Sequence, residues 1–294
     1  MLKIERILCP MDFSELSAKS YTYARSLAQH YEARLFLEHV VQPLSMAYPF
    51  YAFPDTLGQV YTNLLQDAEK HLKEVVQNFA SNGMQPELVV REGFPTDSIL
   101  SFAQTQAVDL IVMGTHGRRG FDRITMGSVT EQVLRKARCP VLVIRRPTHD
   151  FVNPGQKQEQ VHLSRILFCT DFSTHSDRAL QYALSLALEY NAELTLLHVL
   201  EIVGPTHDFQ IENSKICKRL EQAIPEEAKN WCKVKPIVRA GQPYTEIIKL
   251  ATETSADLVI LGVRGRNALD LALFGSTTHR VIQLGPCPVL AVHI

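Results

Sequence analysis

Apolar residues in this chain arrive in short continuous runs, and between the runs they recur every three or four positions. The runs cover residues 4–10, 35–41, 87–91, 109–113 and 141–144, each the length of a strand. The first ends at Asp12, Phe13 and Ser14, and Ser14 stands where a helix N-cap belongs. Tyr21, Ala24, Leu27, Ala28 and Tyr31 then repeat at helical spacing, as do Ile99, Phe102 and Ala103 beyond Gly93 and Pro95. Such faces pack against a sheet. A further helix is expected to reach about Asn82, where Asn82 and Gly83 stop it, and another to run from Val129 to about Ala137. Within 35–41 only Glu38 and His39 interrupt the apolar residues, as in a strand covered on both faces. Strands alternating with helices predict a doubly wound, mostly parallel sheet. Residues 42–62 are the exception: aromatic, proline-containing and without a period, they read as an irregular crossover packed on its own domain, with a lid or a partner surface as alternatives.

The pattern occurs twice. Arg6, Ile7 and Leu8 return as Arg165, Ile166 and Leu167, and Asp12, Phe13, Ser14 as Asp171, Phe172, Ser173, at a constant offset of 159. His39 and Val40 return likewise as His198 and Val199. Beyond the second crossover the offset is 148, linking Asp109 to Asp257 and Cys139, Pro140 to Cys287, Pro288. The difference of 159 − 148 = 11 residues belongs to the crossover of the first half. Residues 147–162 break every period and carry Pro, Gly and Gln. The expected organisation is a first domain over 1–146, a linker over 147–162 and a second domain over 163–294.

Composition narrows the class. With 46% hydrophobic and 21% charged residues the 294-residue chain has the profile of a globular protein, and its net charge of −1 provides no global field for nucleic acid or an anionic membrane. No apolar run reaches membrane-spanning length, and the first residues enter a strand pattern at once, so a cytoplasmic protein is expected. The six cysteines form no CxxC pair and read as small buried thiols.

The candidate chemistry lies in one repeated stretch. Gly114, two residues, Gly117, nine residues, then Gly127, Ser128, Val129 and Thr130 are matched by Gly262, Gly265, Gly275, Ser276, Thr277 and Thr278 at the same spacing. An apolar run, a glycine-punctuated loop and a helix start present unsatisfied backbone N–H groups, the arrangement that receives phosphate. Ser128 with Glu131 also fits a simple capping box, which the second copy lacks. Asp12 and Asp171 end the first strand of each half; either they merely terminate it, or they meet the amine and ring edge of adenine. Arg118, Arg119, Arg123, Arg264 and Arg266 balance phosphate charge or are ordinary surface arginines, and the sequence favours neither. No GxxxxGK[ST] or GxGxxG motif is present, which disfavours Walker-type and NAD chemistry. In open α/β sheets ligands bind beyond the carboxyl ends of the strands where their order reverses, so both features share one crevice if the first and fourth strands are neighbours.

At these residues the sequence resembles the universal stress protein family in its tandem, two-domain form. The resemblance covers nearly all of the chain apart from the linker and the aromatic stretch. It implies two Rossmann-like α/β domains, each a five-stranded parallel sheet of order 3-2-1-4-5, and it implies adenine nucleotide (ATP, ADP or AMP, with Mg²⁺ arriving on the phosphates). By the same resemblance Pro10, Asp12 and Asp171 and backbone groups of Val40 and Val199 meet the base. The loop residues Gly114, Gly117, Arg118, Gly127, Ser128, Val129, Thr130 and Gly262, Gly265, Arg266, Gly275, Ser276, Thr277, Thr278 then hold ribose and phosphates. Cys169 stands where the first half has Pro10, and Thr277 where it has Val129, so the second site is expected to differ in affinity. In that fold the strands at 140–144 and 288–294 are apolar sheet edges; mutual pairing would cover them, giving an intramolecular pseudo-dimer, with further homodimerisation as an additional outcome.

These features favour a nucleotide-binding stress or regulatory module acting on an unknown protein partner over a dedicated enzyme. No SGGxDS or HIGH element occurs, and His116 and Asp122 of the first loop are matched by Arg264 and Asp270, so no histidine base recurs. The alternatives are slow ATP hydrolysis and a partner-binding protein with unused nucleotide sites.

Overall fold

The first strand, β1 (Arg6–Pro10), sits inside its sheet: Ile7, Leu8 and Cys9 are fully buried, with neighbours on both sides. The computed structural model describes residues 3–43, 54–78, 84–115, 126–145, 150–152, 161–201, 209–229, 231–263 and 275–293. Helix α1 (Glu15–Tyr31) follows, capped by Ser14, whose hydroxyl accepts the Ser17 N–H at 3.2 Å. Strand β2 (Arg34–Val41), α2 (Pro54–Asn78), β3 (Glu87–Glu92), α3 (Pro95–Thr105), β4 (Leu110–Gly114), α4 (Ser128–Lys136) and β5 (Val141–Ile144) complete the first half. The second half runs β6 (Arg165–Cys169), α5 (Thr174–Glu189), β7 (Glu193–Leu200), α6 (Phe209–Gln222), the short α7 (Glu226–Lys229), β8 (Val234–Ala240), α8 (Pro243–Glu253), β9 (Leu258–Gly262), α9 (Ser276–Leu284) and β10 (Val289–Val292). No described helix is long and apolar enough to cross a membrane.

All ten strands form one sheet in the order β3-β2-β1-β4-β5-β10-β9-β6-β7-β8. Each half therefore has the order 3-2-1-4-5 with parallel neighbours, and the halves join through an antiparallel β5–β10 pair in which Leu142 faces Leu290. The expected pseudo-dimer is thus a continuous sheet. One apolar layer spans both halves beneath α1, α2, α5 and α6, and a second lies beneath α3, α4, α8 and α9. Both faces of nearly every strand are covered, which is why the strands read as apolar runs without alternation.

Residues at equivalent places meet at the seam, as a two-fold relation requires. His30 Nε2 lies 3.0 Å from Glu189 Oε1, and 189 − 30 is again 159. The His30 ring stacks on Tyr190 with centroids 4.7 Å apart. Each closing strand also reaches across: Arg145 donates to the Gly285 carbonyl at 2.6 Å, and His293 Nε2 to the Leu134 carbonyl at 2.8 Å. Leu134 belongs to the last turn of α4 and Gly285 is the C-cap of α9, places where carbonyls lack intrahelical partners. The stretch after β5 is docked where it is described: Phe151 is 1% exposed and meets Tyr23 edge-on at 4.7 Å, while Asp150 accepts from Tyr23 Oη and Lys19 Nζ.

One sequence expectation shifts. Residues 54–62, read as part of an aperiodic stretch, are the first turns of α2, with Pro54 at its start. Val60 and Leu64 are exposed there, so burial imposes no amphipathic period. The rest of the aromatic stretch, 44–53, and the expected helix stop at Asn82 and Gly83 lie outside the described residues. The 11-residue difference does fall in the crossover: Val41 and Leu200 end their strands 159 apart, while the fully buried Leu72 and Leu220 are 148 apart.

The ends of β4 and β9 are glycine because a helix crosses them. A Cβ on Gly114 would lie 2.8 Å from Leu16 Cγ of α1, and one on Gly262 would lie 2.9 Å from the backbone carbonyl carbon of His175 in α5. Gly262→Ala is therefore expected to lower stability by about 1–3 kcal/mol, because backbone must move, and Gly114→Ala by less, because the Leu16 side chain can turn away; urea unfolding measures both. Leu290→Ala, which hollows the seam, is expected to cost about 2–5 kcal/mol in the same assay.

Candidate functional site

The turn after β1 is built on the same plan in both halves. Asp12 Oδ1 accepts from the Ser14 N–H at 3.1 Å and from Ser14 Oγ at 2.7 Å; Asp171 Oδ1 accepts the Ser173 N–H at 3.1 Å. This places Phe13 at φ 63° and Phe172 at φ 60°, a left-handed backbone costing about 1–3 kcal/mol in a residue of this size. Histidines brace the turns. His39 Nδ1 lies 2.7 Å from the Met11 carbonyl and its ring 4.5 Å from Phe13; His198 repeats this at 2.8 Å from the Thr170 carbonyl and 4.7 Å from Phe172. A carbonyl only accepts, so Nδ1 carries the proton in both rings. The repeat of His39 and His198 in the sequence was the signal for this pair, although it revealed no role.

Beside this turn lies the end of β4, since β1 pairs with β4 on one side and with β2 on the other. The β1–β2 ladder ends at Pro10–Glu38, and β2 continues to Val41. At the start of α4 the Gly127 N–H donates to the Thr115 carbonyl at 2.7 Å, and Thr130 Oγ1 donates to the Gly114 carbonyl at 2.7 Å. The second half matches: Gly275 N to the Val263 carbonyl at 3.1 Å, and Thr278 Oγ1 to the Gly262 carbonyl at 3.0 Å. The hydroxyl protons of both threonines are thus engaged in clasping helix to strand, while Ser128 and Ser276 are exposed at the first helical position. The capping-box alternative fails. Gly127 is the N-cap and makes no side-chain cap, and Glu131 pairs with Arg135 one turn on.

Gly127 and Gly275 have backbone angles of φ −64°, ψ 142° and φ −59°, ψ 127°, open to any residue. Backbone conformation therefore does not demand glycine at either place.

A cavity of about 820 Å³ opens where these pieces meet in the first half. Pro10, Asp12 and Val40 line it from the β1–β2 side, and Gly114, Gly127, Ser128, Val129 and Thr130 from the β4–α4 side. Eight residues singled out in the first half converge on it. Asp171, Val199, Gly262, Gly275, Ser276, Thr277 and Thr278 occupy the corresponding strand ends and helix start of the second half. Gly117, Arg118, Arg119, Arg123, Arg264, Gly265 and Arg266, with His116, Asp122 and Asp270, lie outside the described residues.

The wall also includes Glu38, seen in the sequence only as a break in an apolar run. Its carboxyl is buried against α3, where Ser98 Oγ donates to Oε1 at 2.8 Å. Burial pushes its pKa above the usual carboxylate range, against the opposing effects of Ser98 and Arg91. At four cysteines burial disfavours the thiolate: it raises the thiols of Cys9 and Cys169 and takes Cys139 and Cys287 to about 12. No group of three His, Cys, Asp or Glu side chains with the make-up of a metal site occurs among the described residues.

The comparisons agree with this architecture. The model of the universal stress protein family matches residues 3–145 and again 162–293. A universal stress protein of Methanocaldococcus jannaschii is 33% identical over 145 residues, 49% of this chain and 83% of its own. One of Mycolicibacterium smegmatis is 24% identical over 297 residues, covering 97% of this chain and 96% of its own. Among solved structures, a universal stress protein of Archaeoglobus fulgidus superposes with a TM-score of 0.71 at 22% identity, covering 99% of both chains, which is a likeness of fold. Two consecutive family matches, on two halves built alike around one sheet, make this chain a tandem member of the universal stress protein family.

Proposed function

We propose that the protein binds adenine nucleotide, as ATP, ADP or AMP, at the crevice of each half, residues 1–146 and 163–294, and acts as a nucleotide-dependent regulatory module for a protein partner. The observation that carries this reading is the convergence of the β1 turn and the α4 N-terminus on one cavity. A helix N-terminus whose first N–H groups lack intrahelical partners, an exposed serine there and a glycine whose backbone angles do not require it form a seat for phosphate. The β2 edge beyond Glu38 and the Asp12 turn form the opposite wall, where a base would lie. The cavity has the volume of a small-molecule site. The repeated geometry of Thr278, Gly262 and Gly275 extends the reading to the second half. Mg²⁺ would enter with the phosphates.

Aspartate at the two helix starts tests this on a backbone that accepts it. At Gly127 or Gly275 an Asp is compatible with the backbone and is a favourable N-cap, yet its charge stands where phosphate would. ATP and AMP are expected to raise the thermal midpoint of the wild type and to bind in calorimetry. Gly127→Asp and Gly275→Asp should each remove one binding event, with affinity falling more than about tenfold, while ligand-free stability is kept or gained. Unchanged ATP affinity in the double variant would overturn the reading.

A further inference from the structure

The first cavity is walled by a carboxyl that the second half lacks. Glu38 is 1% exposed on β2, and the residue 159 positions on is Leu197, also 1% exposed. The same strand place in the same fold is therefore satisfied by an apolar side chain. Two groups are recorded against the carboxyl. Ser98 Oγ of α3 donates to Oε1, and the Arg91 guanidinium of β3 approaches Oε1 no closer than 3.9 Å. Arg91 is otherwise engaged, donating to the Ser98 carbonyl at 3.2 Å and lying 5.7 Å over the Phe102 ring. Oε2 is buried and has no hydrogen-bond partner among the described residues. A buried, unsatisfied carboxyl oxygen is destabilising, and an ion pair at that separation offsets only part of the desolvation. Pro95 and Ile99, from the helix that carries Ser98, line the cavity with Glu38. The terminal torsion of a glutamate is soft, so Oε2 can turn toward a group entering there.

We propose that Glu38 is the specificity-determining residue of the first site: its Oε2 accepts an N–H from the bound base, the exocyclic amine of adenine, and Leu197 leaves the second site without that selection. This rests on the nucleotide reading above. The first half thereby selects amino-substituted purines, whereas the second discriminates less between adenine and a 6-oxo purine. The two sites of one chain then differ in selectivity as well as affinity.

Calorimetric titration of the full chain with AMP and with IMP, on wild type, Glu38→Leu and Glu38→Gln, tests this, with ligand-free melting measured alongside and the second site as internal control. Wild type should hold AMP more tightly than IMP at one site. Glu38→Leu should lose roughly ten- to a hundredfold in AMP affinity at that site and little for IMP, while melting no lower than wild type. Glu38→Gln keeps an acceptor for Ser98 but presents NH₂ in place of Oε2, so its preference should move toward IMP. An AMP to IMP ratio unchanged in both variants, or a lower melting point with AMP binding intact, would show Glu38 to be a structural partner of Ser98 and overturn the proposal. Should wild type bind neither nucleotide, the nucleotide reading itself falls and this proposal with it.

Discussion

Everything at the candidate site depends on the parallel pairing of β1 with β4. That adjacency is where the order of the sheet reverses, so the chain leaves β1 toward one face and β4 toward the other, and a crevice opens between the departing segments. The braced turn at Asp12 and Phe13 and the glycine end of β4 become its walls. Gly114 and Gly262 serve this indirectly: by lacking a side chain they let α1 and α5 cross the strand ends closely. The glycines at 127 and 275 differ, because their backbone angles are ordinary and impose no glycine.

A second constraint makes two such crevices one molecule. The last strand of a five-stranded parallel sheet of this order is an exposed apolar edge, and β5 and β10 resolve each other's exposure by pairing antiparallel. The seam is reinforced by His30 against its equivalent Glu189, by the His30 ring on Tyr190, and by Arg145 and His293 reaching across to helix ends. Phe151 and Asp150 fasten the connecting chain to α1. The two halves are thus held in fixed relation by a continuous core on each face of the sheet.

Much of this was legible in the sequence, because repetition supplies what periodicity alone lacks. The offsets of 159 and 148 pair equivalent residues, and continuous apolar runs mark strands covered on both faces. Other features depend on through-space contacts that spacing does not encode. The reason for Gly114 is Leu16, nearly a hundred residues away. The hydroxyls of Thr130 and Thr278 turn to strand carbonyls, and Glu131 pairs with Arg135 although its spacing from Ser128 mimicked a cap. The start of α2 was hidden because its outer residues stay exposed, so no apolar stripe marks it. Glu38 was visible as an anomaly in an apolar strand; only its burial and the Leu197 match turn that anomaly into an argument.

The central claim is that both crevices are nucleotide seats, and it is tested most directly by identifying the small molecules released when the purified protein is denatured, using mass spectrometry with quantitation against chain concentration. The account predicts adenine nucleotide, approaching two per chain after incubation with ATP. Protein that releases none, and still releases none after that incubation, would contradict it.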